Sequence, residues 1–306
     1  MKSLMHNDLE SLNAQFGLAD QLRFVSGEGG LAKAVISNAL ADAEIYLHGG
    51  HLTHFAPKGQ APVIWMSRQA RFSSDKPIRG GAPVVWPWFG AHESDSRLPQ
   101  HGFARVSMWT VAASEALADG ATRLSLALSD SPGTRQLWPH GFKLCLDIVV
   151  GDTLQLALTA VNTSDAGVRV GAALHTYFVV ADIARVYIDG FDGVEYLDKP
   201  DHYARKRQQG VVRFNGEVDR IYLATEGACE VVDSVMRRRI IVSKRGSAST
   251  VIWNPWEKNA KAMADFDDDG FNTMVCVESA NAADDVRYLA PGQRHTLLQH
   301  IALAPL

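Results

Sequence analysis

Cysteine is scarce in this chain. Cys145, Cys229 and Cys276 are its three cysteines among 306 residues, an odd number with no metal-ligand spacing and no basis for a disulfide framework. Long apolar runs are lacking too: no stretch is long enough to cross a bilayer, and the opening MKSLMHNDLE has no apolar run of the kind that marks an export signal. The expectation is a cytoplasmic protein in a reducing compartment, with no membrane partner. A basic excess is also missing. The net charge of -4 speaks against nucleic acid as the main partner, because phosphate backbones are held by a basic surface. The Arg205-Lys206-Arg207 and Arg237-Arg238-Arg239 runs read as solvated faces or edge-strand charges. There is no dinucleotide fingerprint, no phosphate-cradling loop before a helix and no metal-spaced cluster, so neither cofactor nor metal is expected. Strand-helix alternation, sequence repeats and low-complexity linkers are absent as well. That leaves residues 1–306 as one domain, although the length alone suggests two.

What is present is an ordinary globular composition, 46% hydrophobic and 21% charged, enough for a large core. Leu9, Leu12 and Phe16 share one helical face behind Asp8, a capping residue, and ahead of Gly17, a stop; residues 1–20 form a leading segment with this short helix. From Ala43 the helical period disappears. AEIYLHGG, HLTHFAP and PVIWMS read as strands between Gly and Pro punctuation. Leu124, Leu126 and Leu128 alternate with polar or small residues, as do Leu144, Leu146 and Ile148, then Leu154, Leu156 and Leu158. Gly151-Asp152 and the NTSD stretch from Asn162 supply turns, and VDRIYLAT, RRRIIVS, STVIWNP, TMVCVES and HTLLQHIAL add later strands. The pattern predicts an all-β fold, one large antiparallel β-sandwich.

Within it, VRVGAALHTYFVV from Val168 to Val180 carries a histidine in an otherwise buried strand. Val168, Val170, Ala172, Leu174, Phe178 and Val180 fall on one face. His175 and Tyr177 fall on the other, behind the small Gly171 and Ala173, which leave room beside the imidazole. Either this is a structural histidine on a half-buried face, or the strand presents a titratable group to a ligand.

PIRGGAPVVWPWFG, from Pro77 to Gly90, is unlike the strands. Gly80-Gly81 permits close backbone approach to a ligand, Arg79 offers a planar fork to an anion, and Trp86, Trp88 and Phe89 could stack on a sugar or serve as core. QHGFAR adds His101 and Arg105 on a loop, and CVESA brings Glu278 to a strand end beside Ser279 and Ala280. The DDDG run from Asp267 lacks the spaced ligands and closing Glu of a calcium loop and reads as a solvated turn.

Taken in order, RGGAPVVWPWFG, LPQHGFAR, ALHTYF, VDRIY, VIWNPW and CVESAN closely resemble the hexose-6-phosphate mutarotases, a branch of the aldose 1-epimerase superfamily. The match runs from about Gly49 to the C-terminus. It implies the galactose-mutarotase-like sandwich with a concave sugar-binding face, and glucose 6-phosphate as the leading substrate. It also implies roles: His175 and Glu278 catalytic, Asp219 and His101 orienting the substrate, Arg79 and Arg105 binding the sugar phosphate. HGGHLTHFAP is richer in histidine than the corresponding run of relatives.

The chemistry agrees. Mutarotation removes a proton from the anomeric hydroxyl and delivers one to the ring oxygen, so one base and one acid suffice, without metal or cofactor. An ionised Glu278 is expected as the base and a protonated His175, favoured by a carboxylate such as Asp219, as the acid. A free-sugar epimerase has no need of the arginine pair, and a non-catalytic carbohydrate-binding sandwich has no need of an acid-base pair. A monomer acting on a small sugar phosphate is expected.

Overall fold

The computed structural model describes residues 8–306; the first seven residues, part of the stretch read above for an export signal, lie outside the described residues. The expected helix runs over Leu9–Phe16, capped by Asp8, whose side chain accepts from the Glu10 N–H, and ends at Gly17. Almost everything after it is antiparallel strand. A four-stranded meander, Leu22–Ser26, Ala32–Ser37, Ala41–Tyr46 and His51–Pro57, leads into two large sheets of eight and nine strands. PVIWMS forms only isolated bridges, Ile64 to Phe178 and Met66 to Gly80, and not the expected strand.

The nine-stranded sheet contains the Leu-alternating strands Thr122–Ser129, Phe142–Val150 and Leu154–Asn162, joined in meander order. Leu124, Leu126, Leu144, Leu146, Ile148, Leu154, Leu156 and Leu158 are all buried on its inner face, as alternation requires. The Arg237–Arg239 run is a correction: Arg238 lies on the inner strand Arg238–Arg245, buried, donating to the carbonyls of Ala61, Pro62 and Val179. Three carbonyls on a planar fork offset part of the cost of burying the guanidinium, whose Nε has no partner among the described residues.

The eight-stranded sheet carries the functional candidates. From one edge its strands are Ala204–Arg207, Glu195–Asp198, Val218–Leu223, Ser249–Asn254, Met274–Asn281, Ala172–Leu174 and Val84–Val85, with Tyr177–Val179 also on Met274–Asn281. Val168–Val180 is therefore not one strand. Val168–Val170 pairs elsewhere, with Arg287–Leu289, and the chain leaves the ladder at His175-Thr176. The alternation nevertheless holds: Val168, Val170, Ala172, Leu174, Phe178 and Val180 enter the main core with residues of all the sheets. Ala173 and Tyr177 face the opposite way, into two smaller apolar clusters.

Candidate active site

Sheet register assembles the site. Opposite Cys276 of Met274–Asn281 lie Tyr177 on one side and Trp253 on the other, and opposite Trp253 lies Asp219. Two residues along, Glu278 lies opposite Val251, and Val251 opposite Ile221. Residues two apart on a strand share a face, so Asp219, Trp253, Cys276 and Glu278 line the same side. His175 joins them across the ladder gap: its Nε2 is 3.3 Å from Glu278 Oε1. Glu278 was expected at a strand end, but it sits within an eight-residue strand and is 1% exposed. The strand is longer than its apolar run because Ser279, Ala280 and Asn281 are buried there too.

Aromatics fix the imidazole. Tyr177 stacks on it with ring centroids 5.0 Å apart and an interplanar angle of 14°, and Trp253 meets its edge at 6.0 Å. His101 faces it at 5.7 Å. That histidine sits in the left-handed region at φ 64, a conformation a branched side chain would resist. Its own N–H donates to the Gly90 carbonyl at 2.6 Å, and Phe89 packs edge-on at 5.0 Å. Phe89 thus touches a site residue, whereas Trp86 is buried core against Trp138 and Phe142 and does not face a ligand. Trp88 donates to the Pro99 carbonyl and braces the loop.

The cations converge on the same residues. Arg79 Nη1 donates to the Tyr177 hydroxyl at 3.2 Å, and Nη2 pairs with Asp265 at 3.2 Å. Arg105 donates to the Gln100 carbonyl at 2.7 Å. Lys199, which sequence reasoning missed, pairs with Asp219 at 2.6 Å; its KPD stretch resembles any surface turn, and only the strand pairing brings it to the site. Gly80 and Gly81 do permit a close approach, but to protein. At φ 99 and 72, a Cβ on Gly80 would lie 2.7 Å from the Met66 Cα, and one on Gly81 2.3 Å from the Leu52 carbonyl oxygen. His51, the nearest of the extra histidines, is buried behind this pair, its Nε2 2.9 Å from the Gly80 carbonyl oxygen.

Three clefts lie away from this site, and three of the site's own buried atoms are unpaired among the described residues. Clefts of about 400, 490 and 510 Å³ lie elsewhere, lined by neither His175 nor Glu278. His175 Nδ1, Glu278 Oε2 and Arg79 Nε are buried without a hydrogen-bond partner among the described residues, a cost that a ligand's hydroxyls would remove.

A family model described as Aldose 1-epimerase matches residues 33–302. The chain belongs to the aldose 1-epimerase family. It is 35% identical over 271 residues to an Escherichia coli protein named "Putative glucose-6-phosphate 1-epimerase", covering 88% of this chain and 90% of that one. A Cenchrus ciliaris protein of the same name is 35% identical over 285 residues, covering 88% and 84%. Among solved structures, "a putative mutarotase (YeaD) from Salmonella typhimurium" superposes with a TM-score of 0.88 at 31% identity, covering 97% of this chain and 99% of that one. This aldose 1-epimerase is accordingly an isomerase that interconverts sugar anomers on a galactose-mutarotase-like fold.

Charge in the epimerase site differs from the expected ion pair. Burial, then the fields of Arg105 and Arg79, lowers His175 to about 3. Burial, then the Asp219 carboxylate, pushes Glu278 well above the usual carboxylate range. Both shifts run toward the uncharged forms, against the expected carboxylate and imidazolium. Asp219 is paired with Lys199; burial opposes the Lys199 cation, but Asp219 outweighs it and holds Lys199 above its ordinary value. The two groups lie 3.3 Å apart, the proximity that a reaction needing one acid and one base requires.

The DDDG turn also departs from expectation. Asp268 and Asp269 are exposed, but Asp267 is buried and accepts from the Arg68 N–H at 2.9 Å and Nε at 3.0 Å.

Proposed function

We propose that this chain is a hexose-6-phosphate mutarotase, with glucose 6-phosphate as the leading substrate and His175 and Glu278 as its acid-base pair. One of the two takes the anomeric proton while the other protonates the ring oxygen; the C1–ring oxygen bond breaks, the aldehyde rotates, and closure on its other face returns both protons. Asp219 and His101 orient the sugar, with Lys199 fixing the Asp219 carboxylate. The reading takes residues 1–306 as one catalytic unit, a monomer in the cytoplasm, with no nucleic-acid or membrane partner.

The observation that carries the phosphate preference is the juxtaposition of two guanidiniums beside the pair. Burial and then, among neighbours, the like charge of Arg79 work against the Arg105 cation; Tyr177 and Glu278 oppose them, and the net is a fall to about 10. A cation held at such a cost, beside Arg79 whose charge Tyr177 and Asp265 support against burial, suits an anion, which planar forks bind with charge-assisted donors. An arriving phosphate would also offset the fields of Arg105 and Arg79, which add to the larger effect of burial in lowering His175, and so shift the balance toward the imidazolium as substrate enters.

The test is anomer exchange measured by NMR on glucose 6-phosphate and glucose in parallel. Arg105→Ala, lacking a carboxylate partner to lose, should reduce kcat/KM on the phosphate sugar by about 10 to 100-fold, the effect of losing one charged hydrogen bond, and change activity on glucose little. Arg79→Ala should do the same and also lose stability through Asp265. Sulfate should inhibit the wild type more than either variant. An equal fractional loss on both sugars would make the arginines structural and leave a free-sugar epimerase as the better reading.

A further inference from the structure

The break in the ladder that aims His175 has a support on the opposite sheet. Gln299 lies on Arg294–Pro305 in the nine-stranded sheet, between the core residues Leu297 and Ile301, and is 0% exposed. It is an amide in an apolar row. Its side chain spans the sandwich to the reverse side of the active-site sheet. There the Gln299 carbonyl oxygen accepts from Thr176 Oγ1 at 2.5 Å, while its amide donates to the Val277 carbonyl at 3.2 Å and to Ser279 Oγ at 3.1 Å. Thr176 follows His175; Val277 and Ser279 flank Glu278.

We infer that Gln299 is a positioning residue for the acid-base pair, a clamp that holds the kinked His175-Thr176 backbone in fixed register against Glu278. The local backbone needs such a clamp. Thr176 N–H turns back to the Leu174 carbonyl at 3.0 Å, and His175 N–H goes across to the Pro83 carbonyl at 3.0 Å. One ladder bond remains at the kink, Val277 N–H to the Thr176 carbonyl at 3.2 Å. Gln299 restores what the ladder gives up by tying the side chain of Thr176 to the strand that carries Glu278. An apolar residue would fill the same space but leave the Thr176 hydroxyl and the kink untethered.

Thr176→Val, Gln299→Met and the double variant should be compared with Leu156→Ala, which removes core packing from the neighbouring strand position. Thr176→Val and Gln299→Met should each lower kcat by about 10 to 100-fold with KM changed by less than about threefold, since a small misplacement of a catalytic group acts on the chemical step. The double variant should be little worse than either single one, as expected for one shared interaction. Leu156→Ala should lower the melting temperature with kcat per folded molecule unchanged. Normal kcat in both Thr176→Val and Gln299→Met, or losses no larger than Leu156→Ala gives at equal loss of stability, would overturn the clamp. Thr176→Ser, which keeps the hydroxyl, should recover most of the kcat lost in Thr176→Val, and failure to do so counts against it. The inference rests on the acid-base role of His175 and Glu278, so His175→Asn belongs in the same assay. Near-normal exchange there would remove the pair and the clamp together, whereas a collapsed His175→Asn beside a normal Gln299→Met would remove the clamp alone.

Discussion

Two buried polar clusters touch the strand Met274–Asn281, two residues apart, and they are built on opposite plans. Around Lys244 everything closes. Its amine lies 3.1 Å from Thr225 Oγ1, 3.0 Å from Ser247 Oγ, 2.7 Å from the Ser249 carbonyl oxygen and 2.7 Å from Thr250 Oγ1. Ser247 Oγ, with one proton to donate, lies 2.9 Å from the Ser249 carbonyl oxygen and 2.7 Å from that of Ala280. Around Glu278 the atoms stay open: Glu278 Oε2, His175 Nδ1 and Arg79 Nε have no partner among the described residues. Here the first cluster satisfies itself and the second keeps donors and acceptors free, although unpaired buried atoms also occur in structural side chains such as Arg238 Nε and Trp86 Nε1. Burial alone would not have separated them, since Lys244 is 9% exposed and His175 8%.

The comparison is broken most severely by removing the open cluster's chemistry. His175→Asn and Glu278→Gln should each lower the catalysed exchange rate by about 100 to 10,000-fold, the usual contribution of a positioned acid or base. Thermal unfolding should shift little for Glu278→Gln, which keeps the side chain's shape, and more for His175→Asn, which gives up the Nε2 contact to Glu278 and the stack on Tyr177. A variant of either kind with near-normal exchange would show that the open cluster is not the catalytic one.

The closed cluster should respond in stability and not in rate. Burial lowers Lys244 to about 8 from an ordinary 10.5. The unfolded chain therefore binds this proton more tightly, and the contribution of Lys244 to stability grows as pH rises from about 8 to 10.5 and is lost as pH falls back through 8. Lys244→Met should remove that pH dependence, about 3 kcal/mol over the interval, with kcat unchanged at pH 7. Denaturant unfolding at pH 8 and pH 10 measures it, and parallel stability curves for variant and wild type would contradict it. Ser247→Ala should give the smallest effect, a loss of about 1 to 3 kcal/mol from carbonyls left short of a donor, again with normal turnover. A change in turnover there would mean that the closed cluster communicates with the site.

Much of this was legible in the residues. The leading helix and its Asp8 cap, the leucine-alternating meander and the inward face of Val168–Val180 depend on periodicity and capping, which are local. His175, Glu278, Asp219, His101, Arg79 and Arg105 were named from six motifs met in order; the structure sets Glu278 and His101 against the His175 ring, Arg79 on the Tyr177 that stacks on it, and Asp219 on the same sheet face. Lys199 and Gln299 were not. A lysine in a KPD turn and a glutamine in HTLLQHIAL carry no signal of their own, since each gains its meaning from a partner 20 residues away in one case and 123 in the other.

The sequence by itself determined which residues could be strand, which faces would seek the core, and which side chains could exchange a proton or hold an anion, because these follow from side-chain shape, polarity and spacing. Only the tertiary structure decided that the His175 strand breaks, that Glu278 lies inside a strand and not at its end, that Arg238 is buried, and that burial biases His175 and Glu278 toward their uncharged forms. Each of these is a matter of which strands lie side by side and in what register, and of how much water the packed sheets exclude. Pairing between distant segments fixes both, and no local pattern encodes it.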